Sequence, residues 1–392
     1  MSRLIASFAL ALLLGLPARA DLILNVTVDY DLDRNHDVNQ TVIKDMAREL
    51  GNRLGQPVRL VMTQNAERVG ERIRTGAFDL VLAPAHLIGV AMRHDYVPVA
   101  RSGKSTRILL IGKRGQGLSS LEQTRGKRLV LPHRDSLVSE VMRGEFTAKG
   151  LSLQKYYDRV THVNSYGAAL YALQVGQADL AAVKQEVFEE WAPRSPDLAI
   201  VATLAEVPLA GVAVKSKLDE ALQQRIRAAF TQIGEGMEAK LHRVRLYGLD
   251  PADTADFTHI SQRGHYTPEV LPGAAIVTAE QVKQLMAKGA TLYDVRPQSH
   301  YRQGHIPGAI NLTYEMNSPK EVDYDDALDR FDVNRLPKDK NAPVIFQCNG
   351  AECWYSYKAS RYALKQGYKK VHWFRTGLPA WRAAGYPVEQ GT

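Results

Sequence analysis

"FQCNGAECWYSYKAS", Phe346 to Ser360, holds both cysteines of the 392-residue chain, Cys348 and Cys353. The run that leads into it, "PVIFQC", is short, apolar and β-branched, which is the pattern of a buried strand. The run that leaves it, from Trp354 to Gln366, reads as a helix. A cysteine at the end of a strand and before a helix faces backbone N–H groups and a helix N-terminus, and both stabilise an anion. That setting favours the thiolate and makes Cys348 the candidate nucleophile. Whether Cys353 shares in the chemistry depends on what surrounds the stretch and where the chain resides.

The first twenty residues, "MSRLIASFALALLLGLPARA", bear on the second point. Arg3 supplies a positive start, Leu4 to Leu16 an apolar stretch too short to span a bilayer comfortably, and Ala18-Arg19-Ala20 a small-residue cleavage site. The segment reads as a signal peptide cleaved after Ala20, and no later apolar run could span a membrane. The expected location is the periplasm. In an exported protein two cysteines are by default a disulfide, so a reactive thiol has to be argued against that prior. The formal charge of +8 includes Arg3 and Arg19 and is diffuse. It lacks the clustered Lys and Arg that mark nucleic-acid binding.

From Leu22 to about Gly248 the chain alternates strand and helix. "LILNVTV", "PVRLVM", "FDLVLAP", "YVPVAR", "RILLIG", "ADLAAV" and "GVAVK" read as strands. Val38, Val42, Met46, Leu50 and Leu54 mark one helical face, and further helices are predicted over Asn65–Thr75, Ser136–Lys149, Tyr166–Val175 and Leu218–Ile233. Repeated βαβ units imply a largely parallel sheet under helices. Two such halves joined near residues 100–110 would leave a cleft for a ligand. The acidic "DYDLDRNHDVNQ" places Asp29, Asp31, Asp33, Asn35 and Asp37 at alternate positions. Counted from Asp31 as an EF-hand loop it has His36 where glycine is needed and Val42 where glutamate is needed, so no metal site is expected. A loop ending in an Asp37 helix cap is the preferred reading, and Tyr30 is the better cleft candidate. "GLDPADTADFTHISQRGHYTPEVLP", residues 248–272, mixes Pro, Gly and polar residues without a clear period and reads as a linker.

The phrases "MARELGNRLGQPVRLV", "RIRTGAFDLVLAPAHLIGVA", "LEQTRGKRLVLP" and "SYGAALYALQVGQADLAAV" follow one another in an order that resembles the periplasmic solute-binding proteins of ABC importers, especially the phosphonate- and phosphite-binding branch. The resemblance implies a two-lobed, type II-like binding fold with an ABC permease or a periplasmic redox protein as partner. It departs from the branch at the ligand motifs. Where a Ser/Thr-rich turn is usual, this chain has "HRDSLVS", with Asp135 beside Ser136. Where a His is usual before the "aal.al..G.aD" phrase, it has Asn164, Ser165 and Tyr166. A carboxylate at the mouth argues against a doubly charged phosphonate. Asp135, Ser136, Ser165 and Tyr166 join Tyr30 as cleft candidates, with a helix N-cap as the plain alternative for Asp135.

A second α/β pattern starts at Gly273. Thr278 and Gln281 form a capping-box opening to a helix with Val282, Leu285 and Met286 on its apolar face. "YDVRPQSHYRQGHIPGAINL", "VIFQC" before a helix, and "VHWFRTGLPAWRAAGYPVE" together resemble a single-domain rhodanese over Ala274 to Glu389. The resemblance implies a central parallel sheet with helices on both faces. It also implies sulfur transfer through a cysteine persulfide, and it places Cys348 at the catalytic cysteine. No metal or organic cofactor is required, and the partners are a small-molecule sulfur donor and a thiol or protein acceptor. The loop from Asn349 through Gly350, Ala351, Glu352 and Cys353 to Trp354 is about two residues longer than usual and carries no arginine. It is similar to a rhodanese subgroup with "CNGxxCWxS"-like loops. Glu352 makes thiosulfate a less welcome substrate.

Three readings of Cys353 stay open: it resolves an oxidised or persulfidated Cys348, it forms a permanent staple, or it packs as a small side chain. Asp294 and Arg296 are expected to pair within the domain, and His305 to bond backbone in a turn. Trp354 and Tyr355 either shape the loop mouth or join the core, and Trp373 and Trp381 are expected to pack. The boundaries follow as 1–20 signal peptide, 21–248 binding domain, 249–272 linker and 273–392 rhodanese-like domain. The expected function is an exported sulfurtransferase fused to a binding domain for a small anionic or sulfur-containing ligand or a partner. The alternatives are a thiol–disulfide redox protein that uses both cysteines and a non-enzymatic accessory protein.

Overall fold

A computed structural model of the chain describes residues 21–29, 36–63, 65–263 and 266–391, with only the backbone described at 36–39 and 67. The signal peptide reading, Tyr30, Asp31, Asp33 and Asn35 lie outside the described residues. The first lobe opens with β1 (Leu22–Val26), α1 (His36–Leu54), β2 (Val58–Met62) and α2 (Ala66–Arg74). It continues with β3 (Leu80–Pro84), α3 (Ala85–Met92) and β4 (Tyr96–Arg101). α1 begins at His36, so Asp37 lies inside its first turn and does not cap it from outside.

The chain then crosses to a second lobe. This comprises β5 (Ser105–Lys113), β6 (Arg128–Leu131), α4 (Leu137–Ala148), α5 (Leu153–Tyr156) and β7 (Arg159–His162). α6 (Tyr166–Gln174), β8 (Leu180–Lys184), α7 (Gln185–Trp191) and β9 (Leu198–Pro208) complete it. The return supplies β10 (Ala210–Lys215), α8 (Glu220–Gly236), α9 (Glu238–Arg243), β11 (Asp250–Pro251) and α10 (Thr254–Gln262).

The two sheets run β11-β4-β10-β3-β1-β2 and β7-β6-β8-β5-β9. They are mixed, which corrects the largely parallel expectation. β1, β2 and β3 are parallel, but β10 runs antiparallel to both β3 and β4. Likewise β5 runs antiparallel to β8 and β9. The reason is topological. Each lobe takes in a strand on the chain's passage between lobes, and that strand enters from the opposite end.

Each lobe fills with the predicted apolar sets. Val42, Met46, Leu50 and Leu54 of α1 are buried against β1 and α8, and Leu137, Val138, Val141 and Met142 of α4 against β6 and β8. Each such side chain, fully buried, contributes about 2 kcal/mol.

Residues 249–272 are more than a linker. β11 pairs with β4, and α10 packs on α3. Asp253 and Asp256 form a capping box at the start of α10, and Phe257 and Ile260 are buried in the first-lobe core. Phe257 lies over Gly211 so closely that any side chain there would collide with its ring. Two core residues on a nine-residue helix are too few to show a period amid Pro, Gly and polar neighbours.

The C-terminal domain comprises β12 (Ala274–Ile276), α11 (Ala279–Ala287), β13 (Thr291–Asp294), α12 (Gln298–Gln303) and β14 (Ile310–Asn311). β15 (Val344–Gln347), α13 (Trp354–Lys365), β16 (Val371–Phe374) and α14 (Gly377–Ala383) follow. All five strands are parallel in the order β12-β16-β15-β13-β14. The Thr278–Gln281 capping box forms at α11 as predicted. β15 is central and buried on both faces, which fixes its C-terminal end, and hence Cys348, against the core. Among the described residues no helix is long and apolar enough to cross a membrane.

Candidate functional site

Cys348 leaves β15 fully buried, and Cys353 is the residue before the first turn of α13. The two are bonded as a disulfide with Cα atoms 6.2 Å apart, so the reading of Cys353 as packing alone does not hold. The Cys348 sulfur lies 3.1 Å from the hydroxyl of Ser356, whose oxygen accepts from the Trp373 indole N–H at 3.0 Å. The indole thus orients the Ser356 O–H toward the sulfur. This relay is not legible in the sequence, where Trp373 reads only as packing. Trp354 is buried edge-on to Tyr357, and Trp381 is buried in the other face, so both are core residues; Tyr355 is half-buried.

The loop is held from three sides. Leu378 donates its N–H to the Cys348 carbonyl at 3.0 Å, and a methyl group at Gly377 would collide with that same carbonyl. Gly377 also has φ +53, in the left-handed region that favours glycine. Arg296 forks onto Asp294 in a buried ion pair, donates a hydrogen bond to the Gly304 carbonyl at 2.7 Å, and another to Asn349 Oδ1 at 3.0 Å. The predicted internal pair therefore also carries the loop's first residue. His305 is buried, stacks on Tyr301, and its Nδ1 lies 3.0 Å from the Tyr301 carbonyl, a backbone partner in a turn as expected. A cavity of about 210 Å³ beside Asn349 is lined by Arg296, His300, Gly304, Leu378 and Arg382.

The third side is the connector. Thr267 donates both its N–H and its hydroxyl to the Ala351 carbonyl, each at 2.8 Å. Arg375 binds the Thr267 and Pro268 carbonyls, each at 2.8 Å. Glu352 is exposed and faces Tyr266 and Arg93. Burial pushes the Arg93 guanidinium down to about 10, with Glu352 and Tyr266 opposing the shift. Burial, with Glu352 beside it, raises Tyr266.

Arg93 also lines the larger cavity, about 680 Å³, between the lobes. Arg74, Arg134, Arg143, Arg263 and Lys320 line it as well, with Asp135, Glu140 and Asp323 among them. The C-terminal domain closes one wall through residues 320–323, and Asp323 accepts from Ser152 at 2.7 Å. Asp135 lines the cavity, but the helix cap is Ser136, whose hydroxyl accepts from the Ser139 N–H at 3.2 Å. Ser165 caps α6, with its hydroxyl accepting from the Ala168 N–H at 3.3 Å.

Tyr166 is buried and donates to Asp29 Oδ2 at 2.8 Å. Lys184 reaches the same oxygen at 3.0 Å, and the Leu137 N–H points to Oδ1 at 3.3 Å. Asp29, Lys184 and the nearby His86 were missed as cleft residues. The available signal was position, because Asp29 and Lys184 both stand at the carboxyl ends of strands, where α/β clefts open. Burial alone would raise the Asp29 carboxyl; Lys184, His86 and Tyr166 reverse this and hold it below its ordinary value. His86 is pushed down by burial, and neither ring nitrogen has a hydrogen-bond partner.

A two-lobed cleft joined to a parallel-sheet domain with a strand–cysteine–helix loop defines a binding protein fused to a rhodanese-like unit. The chain belongs to the family of periplasmic phosphonate substrate-binding proteins of ABC transporters, whose model matches residues 31–257. The rhodanese-like domain model matches residues 278–384. Over 114 residues the chain is 29% identical to a sulfurtransferase of Allochromatium vinosum, covering 29% of this chain and 92% of that protein. Over 120 residues it is 35% identical to an HTH-type transcriptional regulator of Mycobacterium tuberculosis, covering 31% of this chain and 46% of that protein, so the chain spans about half of that relative. The solved structure of XAC2383 from Xanthomonas citri bound to ATP aligns with TM-score 0.51 at 17% identity, over 62% of this chain and 96% of that one, and shares the fold.

Proposed function

We propose that the chain is exported to the periplasm and transfers sulfane sulfur as a persulfide on Cys348, with the two-lobed domain holding a small anionic or sulfur-containing solute beside it. The observation that carries this reading is the Cys348 sulfur itself. It sits at the end of a central strand, before the N-terminus of a twelve-residue helix, with the Ser356 hydroxyl at 3.1 Å. These groups favour a thiolate or persulfide anion. A dithiol first reduces the Cys348–Cys353 bond by two electrons. The Cys348 thiolate then attacks the outer sulfur of a donor R–S–S⁻, forming Cys348–S–S⁻ and releasing RS⁻. An acceptor thiolate attacks that outer sulfur, leaves as its own persulfide, and returns the Cys348 thiolate. The basic interlobe cavity, and the charge attraction between Arg93 on its wall and Glu352 of the cysteine loop, support a solute held within reach of the catalytic domain. An ABC permease and a periplasmic thiol protein are the partners this reading implies.

The test is mass spectrometry of the reduced mature chain after incubation with a sulfane-sulfur donor. One added sulfur is expected on Cys348, and transfer to thiol acceptors should vanish in Cys348→Ser. Unchanged transfer in that variant would sink the reading. The bonded Cys348–Cys353 pair favours a second reading, a thiol–disulfide redox protein. Cys353→Ser separates the two: persulfide formation survives under the first reading, and turnover is lost under the second.

A further inference from the structure

The inner end of the interlobe cleft is built for an anion and already contains one. Three groups of the second lobe converge there: the Leu137 N–H at the start of the twelve-residue α4, the Tyr166 hydroxyl and the Lys184 ammonium. The carboxylate they grip belongs to Asp29, which follows β1 of the first lobe. Both partners of the ion pair are nearly excluded from water, with side-chain exposures of 3% for Lys184 and 9% for Asp29. Lys184 also lies 4.6 Å over the Tyr166 ring, which fixes the ammonium at the pole. The neighbouring His86 has both ring nitrogens buried and unpartnered, so the pole retains polar capacity beyond what Asp29 uses.

We propose that Asp29 is a tethered internal anion: it fills the carboxylate- and oxyanion-binding pole of the cleft, latches the two lobes together, and bars free small carboxylates and oxyanions from the α4 N-terminus. A solute of this domain then has to use the wider basic cavity beside the pole. A hydrogen-bonded ion pair between lobes replaces the bridging ligand of an ordinary two-lobed binder, so the closed arrangement needs no solute. The inference is independent of the sulfur-transfer reading and survives its failure.

Acetate, the free equivalent of the Asp29 side chain, is the probe, and acetamide in sodium chloride of matched ionic strength is the neutral control. In the full-length mature chain, Asp29→Ala should melt below the wild type. Acetate at tens of millimolar should raise that midpoint by about 3 °C or more, as a ligand that binds only the folded state does. Acetamide should have no effect, the wild type should not respond to either, and Asp29→Ala with Lys184→Met should lose the response. If Asp29→Ala fails to fold in buffer, refolding in acetate but not acetamide should restore it. The same Asp29→Ala variant, which empties the pole, should bind inorganic phosphate at least about ten-fold more tightly than the wild type by calorimetry. Equal acetate shifts in wild type and Asp29→Ala, no acetate response or rescue in Asp29→Ala, or wild-type phosphate binding equal to that of Asp29→Ala would each overturn the proposal.

Discussion

Thr267 donates two hydrogen bonds, from its N–H and from its hydroxyl, to the single carbonyl of Ala351, in the middle of the loop that joins Cys348 to Cys353. The residue is buried, and the connector around it is tied at both ends. Arg375 binds the Thr267 and Pro268 carbonyls, and the Glu269 backbone N–H donates to the Ala148 carbonyl of the second lobe at 2.7 Å. The connector therefore links the cysteine loop to the binding domain mechanically. Thr267→Val keeps the β-branched shape and the backbone bond but removes the hydroxyl donor. The expected cost is about 1 kcal/mol. The loop amides of residues 349–353 should exchange with solvent faster, and a dithiol should reduce the Cys348–Cys353 bond several-fold faster. Unaltered exchange and reduction rates would show that the connector does not restrain the loop.

Gly377→Ala probes the same loop from the opposite side. The added methyl collides with the Cys348 carbonyl, and the backbone there is left-handed. Strain of this kind costs about 1–3 kcal/mol, and the clash adds to it. Denaturant unfolding should show a loss of at least about 2 kcal/mol. A near-neutral result would mean that the Leu378–Cys348 turn has room the structure does not show.

How far these features were legible from sequence depends on the range of the interactions. The Cys348 loop, the Asp294–Arg296 pair and the Thr278–Gln281 box rest on neighbours in the chain, and local pattern found them. β9, Leu198–Pro208, does not read as a strand in the sequence although it is the longest among the described residues. Its pairing with β5 shifts register at two places, and each shift breaks the alternation that marks a strand. α10 offered only Phe257 and Ile260 as a face. Asp29 and Lys184 stand 155 residues apart and meet only because the two lobes close over one cleft. In sequence Asp29 reads as one acid of a failed calcium loop, because nothing local distinguishes it from Asp31 or Asp33. Asp135 and Ser136 are both good N-cap residues, and only backbone geometry decides for Ser136.

Ser356→Ala tests the hydroxyl at the sulfur. A hydrogen bond to an ionised group contributes about 1.5–3 kcal/mol, and Trp373 orients this one. In the reduced protein at neutral pH, alkylation of Cys348 by iodoacetamide should slow by about ten-fold, and sulfur transfer should slow with it. The buried indole loses its acceptor too, so unfolding should be measured alongside. A destabilised protein with unchanged alkylation would assign Ser356 to packing and not to the sulfur.

The Asp29 latch makes a pH prediction with a definite sign. Burial opposes ionisation, but the Lys184 ammonium, His86 and the Tyr166 hydroxyl hold the folded carboxyl below its ordinary value of 3.8. His86 itself is pushed down by burial, with Glu140, Asp29 and Asp135 opposing and Arg143 adding to the fall. As pH falls toward 3.8, the unfolded chain takes up the Asp29 proton first, and the folded chain takes it up only lower. The stability from this group is therefore fully present above the ordinary value and is lost as pH falls through the folded one. Asp29→Asn resembles the protonated acid at every pH. The wild type should be more stable than Asp29→Asn by a constant margin from pH 7 down to about 5. The margin should narrow below 3.8, and the two curves should converge in stronger acid. Guanidinium unfolding of both proteins between pH 3 and 7 measures it. A margin that is absent at pH 7, or that stays constant to pH 3, would mean that the carboxylate does not hold the lobes through its charge.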